Sequence, residues 1–139
     1  FPMILISFIV RVNFPFSILY HMSRGKFDLE QRLIEFACTC LKICDLLPFT
    51  RPAQNLSFQL SKSATASALI YGEAQAAESK ADFIHKLKLV LKEIRETRIN
   101  LQIIIRKPVL QHPQIELALN ECDQLMAIFM KSIETARKR

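Results

Sequence analysis

The sequence predicts an all-α protein, an antiparallel up-down-up-down four-helix bundle. From residue 22 onward apolar residues recur in alternating steps of four and three, the spacing of helices that pack in bundles. Only 2 of the 139 residues are glycine, and no segment alternates apolar and polar residues as a strand would. Prolines and polar clusters divide the pattern into four segments. The short connections between the segments favour antiparallel neighbours.

The first 21 residues differ in composition from the rest. Segment 1–21 is apolar and rich in Phe, and Arg11 is its single Lys or Arg. A transmembrane helix needs about 20 apolar residues, but Arg11, Asn13 and Pro15 interrupt this one. A signal peptide would carry positive charge at its start, and residues 1–10 contain no Lys or Arg. We therefore expect residues 22–139 to form one domain that makes no membrane contact. Residues 1–21 are then upstream translation that precedes a true start at Met22, with a membrane anchor or an apolar or disordered extension as alternatives.

The first helix is predicted from Asp28, a suitable N-cap, to Leu47, just before Pro48. Its core positions are Leu29, Leu33, Phe36, Cys40, Ile43 or Cys44, and Leu47. The second is predicted from Ala53 to Ala77. Its core positions are Leu56, Leu60, Ala64, Ser67, Ile70 or Tyr71, and Ala74. Small side chains over 61–68 allow a neighbouring helix to approach closely. Gly72 predicts a bend or an end of this helix.

The third helix shows the clearest pattern. Ser79 and Asp82 resemble a capping box at its start, and the helix is expected to end near Arg106, ahead of Pro108. Its core positions are Phe83, Leu87, Val90, Ile94, Thr97, Leu101 and Ile104. The fourth is predicted from Pro113, at the first helical position, to Arg137. Its core positions are Ile115, Leu119, Cys122, Met126, Phe129, Ile133 and Ala136.

A second apolar line runs beside the core positions of helices one and four. Large apolar patches are rare on the surface of soluble monomers, so this line indicates a subunit interface. A wide core face is the alternative, because globular helices often bury more than one line. The predicted interface residues are Ile34, Cys38, Leu41, Leu117, Leu125 and Ile128.

No set of residues indicates catalysis, a metal site or a cofactor. Three of the four cysteines fall within seven residues, and no His has the spacing that would complete a zinc site with them. Only Asp82 and His85 approach the spacing of a di-iron bundle motif, and such a site needs that motif on two helices. We expect a non-enzymatic protein with free thiols, typical of the reducing cytoplasm. The four cysteines are Cys38, Cys40, Cys44 and Cys122.

The positive charge is concentrated in the third helix. The whole chain carries a net charge of +6, and residues 80–107 hold eight cations against three acids. Such a stripe binds phosphate backbones by releasing counterions, without reading sequence. A solvated helix face with ordinary ion pairs is the alternative. The predicted nucleic-acid-binding residues are Lys88, Lys92, Arg95 and Arg98.

Several motifs resemble the four-helix-bundle family of 23S rRNA intervening-sequence proteins. They are QLSKSA at 59–64, YGEAQ at 71–75, SKADFIHKL at 79–87, LKEIRET at 91–97 and ECDQL at 121–125. The likeness covers residues 27–137 and departs at Asn100, where a bulkier apolar residue is expected. The resemblance implies a ring-like homopentamer with no catalytic residues. Some members are encoded within insertions of 23S rRNA genes. The accessory variability protein of diversity-generating retroelements is a relative that binds nucleic acid and a reverse transcriptase.

Charge pattern and resemblance together lead to one expected function with one alternative. The expectation is an oligomeric, non-enzymatic bundle that binds RNA or DNA non-specifically through helix three. The alternative is a protein-interaction scaffold that docks a partner such as a reverse transcriptase.

Overall fold

The computed structural model describes residues 28–139, which form four α-helices joined by short connections. These are α1 (Asp28–Leu46), α2 (Arg51–Gln75), α3 (Lys80–Arg106) and α4 (Pro113–Lys138). The predicted all-α class is confirmed, and no strand occurs in this part of the chain. The predicted boundary at Met22 and segment 1–21 lie outside the described residues. None of the helices in residues 28–139 has the length and hydropathy needed to cross a bilayer.

Side-chain caps begin three of the helices. The Thr50 hydroxyl caps α2, and the Ser79 hydroxyl caps α3 by accepting the backbone N–H of Asp82 at 3.0 Å. The carboxylate of Asp82 accepts the N–H of Glu78 at 3.3 Å, one residue before the position that a capping box predicts. At α4, the imidazole Nδ1 of His112 accepts a backbone N–H two residues on, at 3.2 Å. These bonds satisfy amides that have no partner inside the helix.

The contacts between α2 and α3 show that the two helices run antiparallel. Ser63 and Thr97 are joined by a 2.7 Å hydrogen bond, and further along α2 Glu73 meets Lys86, which is earlier in α3. The hydroxyl of Thr97 also bonds a carbonyl of its own helix. A polar residue at a predicted core position is therefore buried with its hydrogen bonds made, as burial of a hydroxyl requires.

The core lies between all four helices and is built from most of the predicted periodic positions. Leu56, Leu119 and Met126 were predicted as core positions and are only partly buried. Its largest fully buried side chains include Phe83, Phe129, Leu33, Ile94 and Leu101. Each such side chain contributes roughly 1.5–3 kcal/mol by leaving water. The rings of Tyr71 and Phe129 add an edge-to-face contact with centroids 5.8 Å apart.

The predicted interface line is corrected at two of its six positions. Leu125 and Ile128 are buried in the core of the chain itself, so for these two residues the wide core face is the correct interpretation. The other four are exposed on the surface of the chain and do not form one patch. Glu121 faces α1 through Arg32, and Leu117 lies one turn earlier on that same side of α4.

The three exposed residues on α1 lie on the other side of that helix. Ile34 follows Arg32 by two residues, about 200° around α1 and so away from α4. Cys44 contacts the Ser57 carbonyl of α2, and Leu41 is close to one turn before Cys44, on the α2 side. Ile34, Cys38 and Leu41 therefore form an exposed apolar face, here called the α1 face.

Candidate nucleic-acid interface

One face of α3 carries four exposed cations from its third turn to its last residue. Lys88, Lys92 and Arg95 share this face at spacings of four and three residues. Arg106 follows Lys88 by 18 residues, which is five turns of about 3.6 residues, so it returns to the same face. These four residues are called the α3 stripe. Sequence reasoning had not included Arg106, although the same spacing continued along the helix identifies it.

Most of the charge on the α3 stripe has no carboxylate partner. Lys88, Arg95 and Arg106 make no ion pair with any residue in 28–139. Lys92 meets Glu96 at 3.9 Å, the outer limit of an ion pair, and both side chains are largely exposed. Exposed pairs of this kind are worth about 0–1 kcal/mol, so a phosphate displaces Glu96 at little cost.

Arg98 occupies a different position from the one predicted for it. Its guanidinium donates to the carboxylate of Asp123 on α4 at 2.7 Å. It follows Lys88 by ten residues, which places it about 80° around the helix from the α3 stripe. The structure thus brings Lys88, Lys92 and Arg95 together and places Arg98 in the contact between α3 and α4. The neighbouring carboxylate neutralises its charge.

The edge of α3 that faces α2 carries acidic residues. Partial burial raises the pKa of Glu93, and the nearby Glu96 carboxylate raises it further. Lys86 on the same edge donates to Glu73 of α2 at 3.2 Å. The cations on the outward face of α3 therefore lie away from both neighbouring helices, whereas Lys86 and Arg98 at its edges are paired.

Two isoleucines interrupt the α3 stripe between Arg95 and Arg106. Ile99 and Ile103 are 55% and 44% exposed, on the same outward face. They follow Arg95 by four and eight residues, which keeps them within about 80° of it. The face thus combines cations with apolar surface, a combination that sequence reasoning had not identified.

Beyond Arg106, the end of the bundle carries further exposed residues, one aromatic and two cationic. The α1–α2 and α3–α4 connections lie at this same end because successive helices are antiparallel. Phe49, in the first connection, is 97% exposed. Arg51 follows it, and Lys107 begins the second connection; both are exposed. The sequence contains a signal for Phe49 that was not used: it stands outside the helical repeat, in a short segment between two prolines.

The thiols and acids do not form a metal centre. Among residues 28–139 no three His, Cys, Asp or Glu side chains are grouped so as to hold a metal ion. All four cysteines are free, with Cys40 and Cys122 buried between α1 and α4 and Cys38 exposed. Burial raises the pKa of the Cys122 thiol to about 12 and raises that of Cys40 as well. These two thiols are packing groups and poor nucleophiles at neutral pH.

Comparison with known proteins identifies the class of fold. No protein-family model matches the chain, and no curated protein matches it. Among solved structures it is similar to the crystal structure of a protein of unknown function of the S23 ribosomal protein family, from Bacteroides thetaiotaomicron VPI-5482. The TM-score is 0.70 at 28% sequence identity, over 76% of this chain and 97% of the other. The chain is therefore an all-α four-helix-bundle protein.

More particularly, its fold is that of an S23-family protein, whose own function is unknown.

Proposed function

We propose that the chain is a member of this family and acts as a non-enzymatic, oligomeric, cytoplasmic protein that binds RNA or DNA. Binding takes place through the α3 stripe and requires no cofactor. The observation that carries the proposal is the outward face of α3, where three of four aligned cations lack a carboxylate partner within residues 28–139. The S23-family neighbour supports the fold, and because its own function is unknown it gives no information about the ligand.

The mode of binding follows from the geometry of the stripe. Cations along one side of a helix can follow a phosphate backbone, and each contact releases condensed counterions. All four residues of the stripe are lysine or arginine, whose contacts with phosphate carry no sequence information. We expect affinity that falls steeply with salt and depends little on sequence.

The test compares two triple charge reversals with the same change in net charge. The first, Lys88→Glu with Lys92→Glu and Arg95→Glu, inverts the α3 stripe. The matched control is Lys42→Glu with Lys80→Glu and Arg139→Glu, three exposed cations elsewhere on the chain with no ion pair in residues 28–139.

Binding of labelled RNA and DNA is measured by fluorescence anisotropy, and folding by circular dichroism. The stripe variant is expected to lose binding while it stays helical, and the control to retain most of it. Equal losses in the two variants would show that only net charge matters and would reject the stripe as the site.

Self-association is proposed separately, through the α1 face. Ile34 and Leu41 are large apolar side chains exposed on one side of α1, and an apolar face of this kind marks a surface that contacts another protein. A second copy of the chain is the proposed contact. A protein partner such as a reverse transcriptase is the alternative, and corresponds to the scaffold function.

Sedimentation equilibrium distinguishes the two. Ile34→Glu with Leu41→Glu is expected to lower the mass of the assembly, and Met130→Glu, at an exposed position of α4, serves as control. An unchanged mass in the α1 variant would reject the α1 face as the contact between copies of the chain and would favour a different protein partner.

A further inference from the structure

Phe49 is unusual among the phenylalanines of residues 28–139 because almost none of its surface is buried. Phe36, Phe83 and Phe129 are at most 3% exposed, Phe58 is 62% exposed on the outer side of α2, and Phe49 is 97% exposed. An aromatic ring carries a large apolar area, so leaving it in water forgoes the stabilisation that its burial would bring. A ring presented in this way suits contact with another molecule.

The backbone on both sides of Phe49 is held in place. Leu47 is buried in the core, and its N–H donates to the carbonyl of Cys44 at 3.2 Å. Thr50 caps α2, and the Gln54 side chain donates to the carbonyl of Pro48 at 3.4 Å. The ring therefore projects from an anchored four-residue connection, and little ordering is required when it binds.

Three exposed cations lie at this end of the bundle, against two exposed carboxylates, Asp45 near the end of α1 and Glu116 in the first turn of α4. Arg51, Arg106 and Lys107 are exposed and form no ion pair with residues 28–139. Neither connection at this end, 47–50 nor 107–112, contains an acidic residue. Arg106 is also the last member of the α3 stripe, so the phosphate-binding face continues from α3 to the Phe49 end.

We propose that this end of the bundle binds single-stranded nucleic acid, with one unpaired base stacked on the ring of Phe49 and the adjacent phosphates held by Arg51, Arg106 and Lys107. The inference rests on the proposed nucleic-acid function and names its preferred ligand. Every base has a π-face, so such stacking tolerates any sequence. Bases of a duplex are already stacked on each other, so a duplex offers Phe49 no unpaired base and is bound through its phosphates alone.

The chain contains no tryptophan, which makes a direct test of stacking available. Phe49→Trp places a single indole at the proposed contact, and Phe58→Trp places one at the other exposed phenylalanine of residues 28–139, two turns into α2. Both full-length variants are titrated with an unstructured oligouridylate and with a duplex DNA, and tryptophan emission is followed with excitation near 295 nm. Oligouridylate is expected to quench Trp emission in the Phe49→Trp protein alone, and duplex is expected to quench neither.

A truncation measures the strength of the contact. Stacking of one base on an aromatic ring is worth about 1–3 kcal/mol, so Phe49→Ala is expected to weaken oligouridylate binding roughly 5- to 150-fold by anisotropy. The affinity of the Phe49→Ala protein for duplex is expected to stay within about twofold of that of the parent chain. Phe58→Ala is the matched control and leaves both affinities unchanged.

The outcomes separate this inference from the function it rests on. If the parent chain binds no nucleic acid even at low salt, both the stacking contact and the nucleic-acid-binding function are rejected. Binding that depends on the α3 stripe, with no quenching in the Phe49→Trp protein and no effect of Phe49→Ala, rejects the stacking contact alone. Trp emission in the Phe49→Trp protein that changes with protein concentration, before any nucleic acid is added, places the ring between copies of the chain and also overturns the inference.

Discussion

Arg95 and Arg98 are three residues apart on α3 and provide a sharp prediction about salt dependence. Arg95 is exposed and has no ion pair within residues 28–139, whereas Arg98 donates to Asp123 at 2.7 Å. Both are replaced by glutamine, which keeps a long polar side chain and removes the charge. We expect Arg95→Gln to reduce the salt dependence of binding and Arg98→Gln to leave it nearly unchanged.

The size of the effect follows from the number of free cations. Each phosphate contact adds about 0.7 to the slope of log affinity against log salt for a single strand. The four residues of the α3 stripe therefore contribute about −2.8 to the slope, or roughly a fifty-fold loss of affinity between 50 and 200 mM salt, and Arg51 and Lys107 add about −1.4 when the strand also occupies the Phe49 end. Without Arg95 the slope becomes less negative by about 0.7, which reduces the loss of affinity over this salt range by roughly 2.6-fold.

Anisotropy titrations with oligouridylate at four salt concentrations measure the slope directly. Thermal unfolding of each variant checks the fold. Loss of the exposed Arg98–Asp123 pair is expected to cost about 0.2–1 kcal/mol of stability without altering the slope. Equal slopes for the two variants would refute the reasoning, because they would show that pairing with Asp123 does not withhold Arg98 from phosphate.

Four further predictions concern stability and thiol chemistry. Gly72 lies inside α2, where an added methyl group would meet no other atom within 4 Å, so Gly72→Ala is expected to stabilise the fold by about 0.5–1 kcal/mol in urea unfolding; a loss of stability would contradict the helical assignment there. Leu125→Ala is expected to destabilise by about 2–5 kcal/mol, and Leu117→Ala, at a 59% exposed position, by less than about 0.5 kcal/mol; equal losses would contradict the burial of Leu125. Exposed Cys38 is expected to react with an aromatic disulfide reagent within minutes at pH 8, and buried Cys122 only on unfolding. Burial raises the pKa of Cys122 to about 12 from its usual value of 9.0; the unfolded chain ionises first, so stability measured against pH falls as pH rises above 9.

The order and extent of the helices follow from local features of the sequence. The predicted ends of all four helices lie within two residues of those in the structure, because prolines and capping side chains act on their own neighbours. Gly72 was less informative: α2 continues three residues beyond it, since a glycine lowers helix stability by only about 1 kcal/mol and packing supplies more.

The candidate site was predicted less completely than the fold. Lys88, Lys92 and Arg95 were predicted to share a face, and they do, since their spacing alone decides it. Arg98 was expected to join them because it lies nearby on the same helix. The Asp123 carboxylate meets the guanidinium of Arg98 because of the position in which α4 packs. The spacing of residues within α3 contains no information about that position.

By itself, the sequence determined most of the core positions, the helix ends and the concentration of cations on α3, because all of these depend on spacing along one segment. The tertiary structure alone decided that Leu125 and Ile128 are buried while Leu117 is exposed, and that Phe49 lies at the same end of the bundle as Arg106. The physical reason is that burial, ion pairing and neighbouring loops depend on the orientation in which one helix meets the next. That orientation is set by the simultaneous packing of all four helices.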